Sequence, residues 1–377
     1  MDESEAAQGI VAHFSIMRDP RVERTKRHRL IDIIVLAVCA VIGGAETWVD
    51  LEMYGESKEE WFKTFLELPN GIPSHDTFAR VFSVLDAEQF RQCFYEWVRA
   101  VNDIKPGQLL AIDGKTIRRS FDTATGKTAL HMVSVWAVEN DVVLAQVAVS
   151  EKSNEITAVP KLLDMLNLKG NTVTMDAMGC QKATLAKIVD KGGDYLVSLK
   201  GNQETLHDSV KAVFAGARET NFQNVDHDSF ETQEKGHGRL ETRRCWTVGD
   251  VEKLPETPLW KGLKTIAMVE SERTLKDKTT RETRYYISSL PNDAGRILKG
   301  TRDHWKVENS LHWCLDVAMN EDQSRIRIGN AQKNWAVLRH IALNLLKQEK
   351  SKGKKGIKGK SKLTGWDHQY LLKVLLG

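Results

Sequence analysis

The chain has 377 residues, 54 Lys and Arg against 51 Asp and Glu, and a formal net charge of +3. That length predicts two or three domains and a sizeable core. The near balance of charge excludes a histone-like polycation, although the basic residues are clustered, which matters for nucleic acid. Cys39, Cys93, Cys180, Cys245 and Cys314 are scattered with no Cys-x2-Cys pair. Such usage fits a reduced, cytoplasmic chain and argues against a structural zinc ribbon. The acidic start, Met-Asp-Glu-Ser-Glu, does not read as a signal peptide.

Residues 1–30 read as a polar, partly loose arm. Its basic residues Arg18, Arg21, Arg24, Lys26, Arg27 and Arg29 are either solvated or in contact with phosphates. Residues 31–105 read as a helical domain. The apolar run 33–42 is too short to span a bilayer and predicts a buried helix. Two more helices are expected over 48–54 and 58–66. After the turn Pro69-Asn-Gly-Ile-Pro73, Ser74 is placed to cap a helix that turns Phe78, Val81, Phe82 and Leu85 inward. His75, Asp76 and Arg80 then face out, a pattern compatible with a helix-turn-helix and with many other helical bundles.

Pro106-Gly107 marks the expected boundary of a domain spanning 106–348. The run Leu-Leu-Ala-Ile-Asp113 reads as a buried strand ending on a carboxylate, with Gly114 beside it permitting a close approach. Residues 131–138 and 142–149 flank Glu139-Asn-Asp141 as a hairpin. A helix over 155–166 follows. Then Thr-Val-Thr-Met-Asp176 forms a second strand that delivers an Asp, and 195–199 forms a fifth strand. The 108 residues between Leu199 and Glu308 are too many for one connection. A helix over 202–214 and strands over 239–248, 264–270 and 283–289 predict a β-rich insertion at about 220–290. Its His237, Arg239, Arg243 and Arg244 either hold nucleic acid or are ordinary sheet surface. Over 303–318, Val307, Leu311, Cys314 and Ala318 recur at helical spacing, with Glu308 beside that stripe. Another amphipathic helix is expected over 332–347. Residues 349–377 read as a flexible linker with seven lysines between 350 and 362, then a short tail packed on the body.

Two strand ends each bearing an Asp, plus a third acid, form a metal-site layout of hard oxygen ligands suited to magnesium or manganese. Asp303 lies five positions before Glu308, on a different side of a regular helix. Asp316 lies eight positions after it, about 12 Å along the axis. His304, Glu308, His312 and Asp316 also fall four apart along one helix face. This leaves a zinc-site reading open, but it lacks the His-Glu-x2-His spacing and does not use Asp113 or Asp176.

These segments carry a resemblance. Ala-Ile-Asp113-Gly-Lys, Asp176-Ala-Met-Gly-Cys-Gln and His304-Trp-Lys-Val-Glu-Asn-Ser-Leu-His-Trp-Cys-Leu-Asp316 resemble the DDE transposases of bacterial insertion sequences, specifically the H-repeat-associated group. Leu68-Pro-Asn-Gly-Ile-Pro-Ser-His-Asp-Thr-Phe and Leu199-Lys-Gly-Asn-Gln extend the likeness over nearly the whole chain.

The resemblance implies an α/β chain with an RNase H-like mixed sheet and flanking helices, a β-rich insertion, and an N-terminal all-helical domain associated with DNA binding. In that sheet the first and fourth strands are neighbours, which brings Asp113 beside Asp176. It further implies that Asp113, Asp176 and Glu308 are catalytic and hold two Mg2+ or Mn2+ ions. Element ends and target DNA are the implied partners, with a homodimer in the active complex and a nucleoid-associated cytoplasmic location. Candidate DNA contacts are Lys115, Arg118, Lys200, Asn202, Gln203, His304, His312, Arg325 and Arg327. The wider insertion-sequence pattern places Tyr, Arg and Lys where this chain has Thr301, His304 and Leu315. A DNA-binding protein that no longer cuts and a plain metal-dependent nuclease of the same fold are the alternatives.

Overall fold

A computed structural model describes residues 3–376 except 103, 124, 125, 127, 150–154, 237, 277, 352 and 354; for 3–8 and 25 it describes backbone alone. Six helices come first: α1 (Glu3–Phe14), α2 (Leu30–Ile42), α3 (Trp48–Ser57), α4 (Glu59–Phe62), α5 (His75–Val84) and α6 (Ala87–Val101). Then follow β1 (Leu109–Thr116), β2 (His131–Ala137), β3 (Val142–Val149), α7 (Glu155–Met165), β4 (Thr172–Met175), α8 (Lys182–Asp190), β5 (Asp194–Leu199) and α9 (Glu204–Glu219). Strands β6 (His227–Gly236), β7 (Arg239–Val248), β8 (Thr265–Leu275) and β9 (Lys278–Ser288) lead to α10 (Ala294–His304), α11 (Ala331–Gln348), α12 (Ile357–Trp366) and α13 (His368–Leu376).

The nine strands form one sheet in the order β3-β2-β1-β4-β5-β9-β8-β7-β6. β1, β4 and β5 run parallel, and the flanking pairs are antiparallel. The first five strands make an RNase H-like mixed sheet with helices against it. β1 is buried along its first half, as expected of a continuous apolar run in the centre of a covered sheet. The β-rich insertion is continuous with this sheet rather than packed apart from it, because β9 pairs with β5 from Leu196↔Ser288 to Leu199↔Tyr285. Its outer strand β6, His-Asp-Ser-Phe-Glu-Thr-Gln-Glu-Lys-Gly, is exposed almost throughout. With no buried face it carries no apolar alternation, and its pattern gives no strand signal.

The N-terminal helices share the main core. One apolar cluster runs from Ile10 and Phe14 through α2, β1 and α11 to Leu375. α2 is buried on nearly all sides and packs on α11. Ser74 Oγ accepts the Thr77 backbone N–H at the start of α5, and Phe78, Val81 and Phe82 face inward. Only Glu59–Phe62 is helical within 58–66.

Two segments read as loose are ordered. Residues 3–14 form α1, which buries Ile10 and Phe14 and packs on α6 and α13. Residues 357–366 form α12, in which Lys360 is buried and its Nζ donates to the carbonyls of Leu346 (2.9 Å) and Glu349. A lysine-rich composition hides this helix because Lys360 is used as an internal donor rather than a solvated charge. Among the described residues no helix is long and apolar enough to cross a membrane.

Candidate active site

β1 and β4 are in register from Leu109↔Thr172 to Ile112↔Met175. Asp113 and Asp176 each follow the last pair, so they lie side by side on adjacent strands, about 4.8 Å apart in backbone spacing. The Asp113 Oδ1 accepts its neighbour's N–H, Gly114 N, at 2.9 Å. Gly114 is required by space: a Cβ there would run into the Glu155 carboxylate and the His131 ring, which are themselves bonded, Nε2 to Oε1, at 2.8 Å. Asp176 Oδ1 accepts the backbone N–H of Met178 (2.9 Å) and of Gly179 (3.4 Å). Two side chains from the β5–α9 connection hold that loop: Asn202 Nδ2 donates to Ala177 O at 2.7 Å, and Gln203 Nε2 to Cys180 O at 2.9 Å. Asn202 and Gln203 thus fasten the Asp176 loop through its carbonyls.

Glu308 arrives on an irregular segment. The single regular helix expected over 303–318 is broken: α10 ends at His304, and π-helical turns follow over Glu308–His312 and Cys314–Ala318. Such wide turns recur at functional sites because they re-aim side chains. The His312 Nδ1 lies 3.3 Å from Glu308 Oε2 and 3.7 Å from Asp113 Oδ2. One ligand atom from each of Asp113, Glu308 and His312 falls within 4.8 Å of the others. Asp113, Asp176 and Glu308 all line one cleft of about 190 Å³, together with Lys200, Arg284, His304 and Trp305. The four-residue stripe does not form one ligand set: His304 Nδ1 bonds Thr174 Oγ1 at 3.0 Å, and Asp316 accepts from Lys115 at 2.6 Å.

Burial pushes the Asp113 carboxyl up to about 7, and Glu308, Asp176 and Glu155 add to the rise. Asp176 is also raised, by burial and then by Glu155, against the two N–H groups and Lys200. Burial lowers His304 to about 4, so its ring is neutral near pH 7. Burial also lowers His312, against the pull of Glu308. Glu155, Arg284 and Trp305 were not legible as site residues. Glu155 opens a helix far from any acidic motif, Arg284 reaches the cleft on β9 through the β5–β9 pairing, and Trp305 reaches it from the end of α10, its ring under the Arg284 guanidinium.

The remaining candidates divide. Lys200 lines the cleft. Lys115 is partly buried and meets three carboxylates, Asp316, Glu321 and Asp322, so its charge is compensated internally rather than offered to a phosphate. Arg118 is exposed, with Nε 3.2 Å from Asp322. Arg325 and Arg327 lie on a different cleft with Glu46, Trp48 and Ala79, and Arg327 stacks over Phe121 and donates to Arg119 O at 3.2 Å. In the insertion, Arg239 and Arg243 pair with Glu241 and Arg244 with Glu231, whereas His237 lies outside the described residues. In the N-terminal arm Arg21 pairs with Asp19, Lys26 with Glu23 and Arg29 with Glu67.

The chain matches a family model described as the transposase DDE domain over residues 104–345, and a DDE-associated model over residues 11–98. It is 45% identical over 373 residues to "Putative transposase YncI" of Escherichia coli O157:H7, covering 98% of this chain and 94% of that one. It is 42% identical over 374 residues to "H repeat-associated putative transposase YhhI" of Escherichia coli strain K12, covering 98% of both. With the acids assembled on an RNase H-like sheet and likeness of this extent over both halves, the chain belongs to the DDE transposases, in the group of H repeat-associated relatives.

Proposed function

We propose that this protein binds the ends of its own insertion element, cuts the DNA strands there, and joins the 3′ ends to target DNA. Asp113, Asp176 and Glu308 are the catalytic acids and hold two Mg2+ or Mn2+ ions. The observation that carries the reading is the gathering of Asp113, Asp176 and Glu308 in one cleft from positions 63 and 132 apart in sequence (176 − 113 and 308 − 176). The residues fit divalent cations. The donors are hard oxygens, and Asp113, raised to about 7 by burial and like charges, is under a strain that a cation relieves. Bound there, such ions supply a nucleophilic water or 3′-hydroxyl and stabilise charge on the phosphate and leaving oxygen.

The chain's own groups do the rest. Asn202 and Gln203 hold the Asp176 loop, and His312 orients Glu308 toward Asp113. Lys200 and Arg284 face the cleft and meet phosphate charge. The neutral His304, tied to Thr174, supports the floor. Two ends brought together call for two copies of the chain in the active complex, working on the nucleoid in the cytoplasm. The intact set of acids favours an enzyme over a binding protein that has lost cleavage. The test is Glu308→Gln. Strand cleavage of end DNA is abolished while binding to the same DNA, read by gel shift in chelator, stays nearly intact. Cleavage retained by this variant but abolished in Asp316→Asn would show that Glu308 is the wrong acid.

A further inference from the structure

The acid contributed by the irregular segment has little of its own to hold it. The Glu308 side chain is half exposed, and its carboxylate contact is the His312 ring on the same segment. The π-helical turns that carry it depart from the regular α-helical ladder. Yet catalysis requires Glu308 to be held against Asp113 to within about half an ångström.

The fastening lies farther along the same two elements. Lys115 is two residues beyond Asp113 on β1. Its Nζ sits 2.6 Å from Asp316 Oδ1, 3.2 Å from Glu321 Oε2 and 3.2 Å from Asp322 Oδ1. Asp316 belongs to the second π-helical turn, eight residues after Glu308. Glu321 and Asp322 belong to the short turn that ends the segment. The Lys115 side chain is 11% exposed and that of Glu321 3%. Arg118 reaches Asp322 at 3.2 Å, and the buried Arg339 of α11 lies 4.0 Å from Glu321. Three cations therefore face three carboxylates, a locally neutral group. Its inner members, Lys115, Glu321 and Arg339, are 11% exposed or less; pairs so far from water add little net stability but fix geometry, since moving either side strands a charge.

We infer that Lys115 is a positioning residue for catalysis: by clamping Asp316, Glu321 and Asp322 it rivets the Glu308 segment to the strand that carries Asp113, and so sets the distance between the two metal-binding acids. This rests on the reading of Asp113 and Glu308 as metal ligands. The clamp works without touching DNA or metal, which separates it from a phosphate-contacting lysine.

The experiment compares the full-length wild type with Lys115→Met, Lys115→Arg and Asp113→Asn. Mn2+ affinity is measured by calorimetry without DNA, end-DNA binding by gel shift in chelator, and folding by circular dichroism. Lys115→Met loses about tenfold or more in Mn2+ affinity, the range seen when outer partners of metal ligands are removed. Its chelator-insensitive DNA binding stays within about twofold of wild type, and Lys115→Arg, which keeps the charge, recovers most of the missing Mn2+ affinity. Unchanged Mn2+ affinity in Lys115→Met, beside a clear loss in Asp113→Asn, overturns the clamp and leaves the metal site standing. Unchanged affinity in Asp113→Asn overturns the metal site itself. A fall in chelator DNA binding as large as the fall in Mn2+ affinity overturns the clamp in favour of a DNA contact. Should Lys115→Met fail to fold, Asp316→Asn reads the same quantity at a partly exposed partner; a loss of Mn2+ affinity there supports the clamp, and no loss overturns it.

Discussion

Asp113→Asn should stabilise the metal-free protein while removing its metal affinity. Asp113 is 19% exposed at its side chain, and burial with Glu308, Asp176 and Glu155 raises its carboxyl from 3.8 to about 7. For an acid raised on folding, the folded state holds a proton that the unfolded state has released, so stability falls as pH rises from 3.8 to about 7. At about 1.4 kcal/mol per pH unit, the full penalty above pH 7 is about 4 kcal/mol, and at pH 5 it is below about 2 kcal/mol. Solvent entering the open cleft reduces both, leaving about 2–4 kcal/mol at pH 8. Asn is neutral and of the same shape, so the variant escapes the penalty. With an unfolding entropy of roughly 2 cal/mol/K per residue, the gain is a rise of about 3–5 °C in melting temperature. The assay is thermal unfolding in chelator at pH 5 and pH 8, repeated with excess Mn2+. The variant melts above wild type in chelator, by more at pH 8 than at pH 5. Manganese raises the melting temperature of wild type, by about 2.7 kcal/mol of stability at a hundred times its dissociation constant, and leaves the variant unmoved. A variant that melts at or below wild type at pH 8 in chelator, or gains more at pH 5, refutes the strained-acid argument.

Other outcomes follow from named interactions. Lys360→Met strands the carbonyls of Leu346 and Glu349 and should lower stability by about 1–3 kcal/mol, seen as a lower urea midpoint with unchanged slope; no change would return this lysine to the solvated class. Ser74→Ala removes the cap of α5 and should cost about 1 kcal/mol by the same assay. Neutralising the exposed Lys355, Lys358 and Lys362 should make the salt dependence of duplex binding shallower, by roughly 0.9 in log–log slope for each phosphate that the variant no longer neutralises. An unaltered slope would show that these residues touch no DNA. Asn202→Ala frees the Ala177 carbonyl that anchors the Asp176 loop and should weaken Mn2+ affinity about tenfold, measured calorimetrically; equal affinity would show that the loop holds itself.

The sequence determined the elements whose causes are local. An apolar run closed by Asp113 and Gly114, a β-branched run closed by Asp176, the Ser74 cap and the hairpin at 139–141 are all set by neighbours within a few positions, so each stands in the expected place. The family motifs supplied what composition could not, namely that the strands delivering Asp113 and Asp176 are adjacent and that the 304–316 segment reaches the same cleft. Tertiary structure decided the rest. The insertion joins the core sheet because β9 finds the free edge of β5, and an edge pairing between distant segments leaves no local pattern. Edge strand β6 buries no face and so writes no alternation. Lys115, a basic residue two positions from Asp113, reads equally well as a DNA contact; only the return of residues 316–322 over β1 surrounds it with three carboxylates. Lys360 likewise reads as one charge in a solvated run until α12 packs it against α11. The helix over 303–318 reads as regular from its spacing, whereas the structure places π turns over Glu308–His312 and Cys314–Ala318. Period and propensity are written along the chain, whereas the pairing of buried charges depends on which distant segments the core brings together.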